Sequence, residues 1–190
     1  MQARSIVTGI ISGAIMVLFG CGDDVKTGGV GTLSSQPSAP PVAATAPLSS
    51  SPTWAIKAQK DDAANCYLDV VNDVNLRPGG VSVSVKKDVP LVIAGWSVDK
   101  KRLGIQGEVV LELASSDRKH VYLFRGKRSP RPDVSNNENY RDLALEMPAV
   151  SLAADTKEMT AGVYEVTFVM RRSDEDGISC SIGKAWKIEL

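Results

Sequence analysis

The chain is poor in the residues from which most catalytic and metal centres are built. Its 190 residues include one histidine, His120, and three cysteines, Cys21, Cys66 and Cys180, with no C-x-x-C spacing. A nucleophilic triad needs a histidine base near a hydroxyl or thiol. His120 stands in Lys119-His120-Val121-Tyr122-Leu123, where alternation with apolar residues points it to solvent, and no G-x-S-x-G elbow accompanies it. A zinc site lacks ligands, and no glycine-rich loop opens a helix to cradle a phosphate. No two acids have a spacing that sets them across a cleft, as glycoside hydrolysis requires. Asp174-Glu175-Asp176-Gly177 lacks the alternating acids and later bidentate glutamate of an EF-hand; it reads as a hairpin turn in which Asp176-Gly177 supplies positive φ angles. Net charge is missing too: 22 basic side chains stand against 22 acidic ones, which argues against a nucleic-acid partner. No catalytic residue, metal or cofactor is expected.

A membrane-spanning run is also lacking. The apolar stretch Ile6 to Gly20 is about 15 residues, short of the roughly 20 needed to cross a bilayer. With Arg4 ahead of it, it has the pattern of a secretory signal. The stretch ends in Leu18-Phe19-Gly20-Cys21, which resembles the lipobox of bacterial lipoproteins: an aliphatic residue at −3, a small one at −1, then cysteine. The resemblance implies cleavage before Cys21, acyl chains on Cys21 and stable anchoring of the mature chain in a membrane. Gly22 rather than aspartate follows the cysteine, and this implies the outer membrane, facing the periplasm.

Residues 21–53 are dominated by Gly, Ser, Ala, Pro and Thr. They bury too little to offset the entropy of ordering them, and are expected to form a disordered linker after the signal peptide of residues 1–20. Residues 54–190 then form one domain. Strand patterns fall at 66–71, 81–85, 89–96, 107–113, 119–124, 163–171, 178–182 and 185–190, several with period two, with turn residues between them. No long window keeps a helical period. Short, closely spaced strands predict an all-β, antiparallel β-sandwich. With Cys21 lipidated, Cys66 and Cys180 remain in an oxidising compartment and are expected to pair. Closing that loop of about 114 residues stabilises by at most roughly 4 to 5 kcal/mol in the chain-entropy account.

Three pieces in order, Gly95-Trp96-Ser97-Val98-Asp99, Arg131-Pro132-Asp133-Val134 and Ala161-Gly162-Val163-Tyr164, precede the late Cys180. Together they resemble an immunoglobulin-like β-sandwich module of bacterial cell-envelope proteins, which implies an accessory part rather than a catalyst. Trp96 is expected to fill the space between two sheets, and Tyr164 to begin a strand with its hydroxyl capping nearby backbone. The segment Phe124 to Val134, FRGKRSPRPDV, is locally basic. Its prolines bar it from a central strand, so residues 125 to about 142 are expected to cross from one sheet to the other. Arg131 and Asp133 would pin that crossing, leaving Arg125, Lys127 and Arg128 solvated for an anionic partner. The reading is a membrane-anchored envelope lipoprotein with a non-catalytic interaction domain for an envelope protein, or alternatively a binder of glycans or other anionic ligands through residues 125–131.

Overall fold

The computed structural model describes residues 43–76, 82–182 and 187–190. The signal segment, Cys21, the linker up to residue 42, the Pro78-Gly79-Gly80 turn and Trp186 lie outside the described residues. The strands are β1 (Gln59–Lys60), β2 (Ala64–Val71), β3 (Val74–Asn75), β4 (Val83–Ser84), β5 (Leu91–Asp99), β6 (Val109–Ser115), β7 (Val121–Arg125), β8 (Lys127–Ser129), β9 (Ala149–Ala154), β10 (Val163–Arg171), β11 (Gly177–Ser181) and β12 (Lys187–Glu189). One sheet has the order β3-β2-β5-β9-β8. In the other, β10 is central, with β6 and then β7 on one side. The opposite edge of β10 is shared by β11 and β12, flanked in turn by β1 and β4 in parallel. The result is an all-β sandwich. β2-β5-β9-β8 facing β7-β6-β10-β11 is an immunoglobulin-like order.

Alternation drives the packing. β10 turns Tyr164, Val166, Phe168 and Met170 inward, where they meet Leu91 and Ile93 of β5 and Leu111 and Leu113 of β6. Each such side chain contributes roughly 1.5–3 kcal/mol of burial free energy. The Tyr164 hydroxyl donates to Thr160 O at 2.5 Å, which is the tyrosine corner expected from Ala161-Gly162-Val163-Tyr164. Cys66 on β2 is bonded to Cys180 on β11, tying the two sheets together across 114 residues of sequence.

Four sequence expectations are corrected. β9, Ala149-Val150-Ser151-Leu152-Ala153-Ala154, pairs with both β5 and β8, yet its small residues gave no strand pattern. Second, the sheet-to-sheet crossing is not a long connection but one residue, Gly126, between β7 in one sheet and β8 in the other. A Cβ there would stand 2.9 Å from both Val109 and Val150, one from each sheet. Third, the domain begins before residue 54. Thr45 N donates to Ala153 O at the β9 edge of the five-stranded sheet, Leu48 N to Leu123 O on β7, and Trp54 is buried on Val110 and Val169, so residues 45–58 pass from the edge of one sheet to the outer face of the seven-stranded one. Fourth, Trp96 lies on the outer face of the five-stranded sheet beside Tyr67 rather than between the sheets. The inward positions of β5 are Leu91, Ile93, Gly95, Ser97 and Asp99, and at Gly95 a Cβ would meet Tyr67 O at 2.2 Å.

Candidate functional site: the loop end of the sandwich

Three connections meet at one end: residues 100–108 between β5 and β6, 130–148 between β8 and β9, and 172–176 between β10 and β11. The inward line of β5 turns polar toward this end, and arginines satisfy it. Arg128 points inward from the edge strand β8. Its Nε donates to Gly107 O at 2.6 Å, Nη1 to the carbonyls of Ser97, Met147 and Pro148, and Nη2 to Ser97 Oγ. With no carboxylate at hand, burial and the nearby Arg102 charge bring its pKa down to about 10. Arg128 is therefore not the solvated cation that the sequence suggested. Lys127, on the opposite face of the same short strand, is exposed, and Arg125 is exposed with Nη1 3.4 Å from Glu108 Oε1.

A second arginine closes the end. Arg172 grips Asp99 with Nε at 2.7 Å and Nη2 at 2.9 Å, while its Nη1 donates to Asp61 at 2.7 Å. Burial pushes the Asp99 carboxyl up, but the Arg172 fork and the Lys101 N–H outweigh it and hold it below the usual range. Asp61 is held well below that range by the Ala63 N–H, Arg172 and Lys101. The Arg172 guanidinium is raised in return. These partners lie 73 and 111 residues apart in sequence, so no local pattern announces them.

The connection 130–148 folds over the outer face of the five-stranded sheet. Arg131 donates to Asp133 at 2.8 Å and, from across the sheet, to Asp69 on β2 at 2.5 Å. Pro132 opens a single helical turn, and Val134, Tyr140 and Leu145 pack on Val98, with Trp96 against them. Asn65 donates to the Tyr140 hydroxyl. Arg131 and Asp133 thus clamp a roof, while Arg125, Lys127 and Arg128 diverge to three environments.

The turn at 172–176 is closed by Arg172 N and Ser173 N donating to Asp176 O. Neither Asp176 nor Gly177 takes a positive φ, so the turn expected there is present with different geometry. His120 is exposed at the β6–β7 turn.

The loop 100–108 lifts two aliphatic side chains into solvent: Leu103 is 70% exposed and Ile105 58%. Gly104 between them has φ +68°, a conformation that favours glycine. Its N–H donates to Leu143 O and its carbonyl accepts from Glu146 N, while Arg102 Nε donates to Ile105 O and Gln106 Nε2 to Arg102 O. No sequence signal marked Leu103 and Ile105, because scattered aliphatics in a loop have no period.

Among the described residues no helix is long and apolar enough to cross a membrane. Compared with protein families, with curated proteins and with solved structures, the chain matches none.

Proposed function

We propose that the chain is a lipid-anchored lipoprotein of the bacterial envelope, tethered at Cys21 in the outer membrane, whose sandwich is a non-catalytic interaction module. The anchor rests on the Leu18-Phe19-Gly20-Cys21 sequence alone; the observation that carries the interaction module is the Leu103 and Ile105 pair, held out by a loop braced through Arg102, Gly104 and Gln106. Two exposed aliphatic side chains on either side of one glycine, on a braced loop, supply apolar surface of the kind that contact sites use. Position supports the same reading. Thr45, where the preceding chain joins the sandwich, bonds at the β9 terminus beside Ala153 and Asp155, at the opposite end from residues 100–108. A partner at Leu103 and Ile105 therefore does not compete with the contacts that residues 45–48 make on the sandwich.

The test is site-directed photocrosslinking in cells. A crosslinking residue at Leu103 is expected to give one discrete protein adduct, and the same residue at Val121, which is 42% exposed at the other end, is expected to give none. Cys21→Ser is expected to leave an unprocessed chain without labelled fatty acid. Equal crosslinking from both positions would defeat the loop-end assignment, and normal processing of Cys21→Ser would defeat the anchor.

A further inference from the structure

The geometry points to an oxyanion-binding site around Gly107, in the connection just before β6, suited to a phosphate or phosphate monoester. It does not depend on the identity of the loop-end partner. Gly107 lies between two guanidinium groups that have no carboxylate. Arg128 Nε donates to Gly107 O at 2.6 Å, and the point a Cβ would occupy lies 2.0 Å from Arg171 O and 3.2 Å from Arg102 Nη1, so both guanidinium groups are held on backbone carbonyls at a tight approach of two strands. Among the described residues Arg102 donates to the carbonyls of Ile105, Arg171 and Arg172 and to no carboxylate. Among the described residues Arg128 likewise donates to carbonyls and the Ser97 hydroxyl alone. Arg125 and Arg171 stand to either side and share one acid, Glu108, at 3.4 and 3.3 Å.

Two surface cavities, of about 370 and 240 Å³, adjoin at Gln106, Gly107 and Glu108. The first reaches Arg102 and Arg171, the second Arg125 and Arg128. Arg172, which also borders the first cavity, is occupied by Asp99 and Asp61. Asp174 at the rim pairs with Arg171. Cation is therefore in excess at this spot. Glu108, 45% exposed and divided between two arginines at distances longer than tight ion pairs, serves as the resident carboxylate. A dianionic oxyanion offers more acceptor oxygens to guanidinium forks than one carboxylate does. On binding, it takes the Arg125 and Arg171 donors and Glu108 turns to solvent.

The experiment titrates the full lipidated chain in detergent with inorganic phosphate and, separately, with glucose 1-phosphate, by calorimetry against sodium chloride at matched ionic strength. Saturable binding of either probe is expected, and the tighter of the two identifies a free anion or an ester as the source. Arg125→Ala removes one charge-assisted contact and is expected to weaken binding about tenfold. Glu108→Gln removes the resident competitor and is expected to tighten it several-fold. Lys127→Ala, on the other face, is expected to change nothing. Arg128 is left intact because its loss threatens the fold. Three results would each overturn the site: no saturable binding of either probe, unchanged affinity in Glu108→Gln, or a loss in Lys127→Ala equal to that in Arg125→Ala.

Discussion

Replacing Arg128 with alanine tests whether the inward arginine holds the loop end together. In the native fold its guanidinium supplies donors to four carbonyls, those of Gly107, Ser97, Met147 and Pro148, and to the Ser97 hydroxyl. Pro148 O keeps a second donor, Ser97 N at 3.0 Å, so its loss matters less. Hydrogen bonds to a charged group contribute about 1.5–3 kcal/mol each, but burying the cation costs several kcal/mol. The difference leaves an expected loss of about 3–4 kcal/mol. At roughly 2–4 °C per kcal/mol for a domain of this size, the melting temperature should fall by about 6–16 °C. Arg128→Lys should recover less than half of this, because an ammonium on a flexible stem cannot reach both sides of the fork. The assay is thermal and urea denaturation followed by far-ultraviolet circular dichroism, with Lys127→Ala as the neighbouring control. If Arg128→Ala melted within about 2 °C of the native chain, the carbonyl cage would not be what fixes this end.

Arg131→Ala should lower the melting temperature by roughly 2–8 °C, because it breaks a half-buried pair with Asp69 worth about 1–2 kcal/mol; the double change Arg125→Ala, Lys127→Ala should melt as the native chain does. The Asp99–Arg172 pair should make stability acid-sensitive. The Asp99 carboxyl titrates below its unfolded value of about 3.9, so its contribution is complete above that pH and lost as pH falls through the lowered folded value. In Arg172→Met the buried carboxyl has no cation, its pKa moves upward instead, and the acid limb of a plot of melting temperature against pH should flatten or reverse. Trp54→Ala should cost about 3–5 kcal/mol, since the indole is 5% exposed. In denaturant melts, a chain starting at residue 54 should be less stable than one starting at residue 40.

Much of the sandwich was legible because period-two apolar runs such as Val163 to Arg171 carry their own orientation. β9 was not, since Ala149, Ser151 and Ala153 on its outward side are too small and β-neutral to stand out. Small residues suit that side: the chain from Ser129 to Arg131 must pass over β9 and β5 to bring Arg131 to Asp69 on β2. Trp96 was misplaced because the sequence showed a large ring next to a glycine without showing which side the pleat turned out. The parity of β5, with Ile93 and Ser97 inward, decides it. The basic segment was visible as composition, but its residues alternate sides along β8, so neighbours in sequence face opposite environments. Asp99 stood out within Gly95-Trp96-Ser97-Val98-Asp99, but its bridge through Arg172 to Asp61 was unreadable because nothing local links positions so distant.

The single-residue passage at Gly126 couples the alignment of one sheet to that of the other. β7 and β8 form one nearly continuous ribbon, paired to β6 in the first sheet and β9 in the second. If β7 slid along β6 by one residue during assembly, β8 would be dragged with it. Because side chains alternate, a one-residue slip exchanges the two faces of a strand. Lys127 or Ser129 would then point inward, toward carbonyls spaced for a guanidinium fork, and Arg128 would be expelled. Phe124, which is fully buried, would turn out to water at the same time. A misaligned ribbon is thus penalised in both sheets at once, which selects a single pairing along a side of the molecule where β8 itself has only three residues.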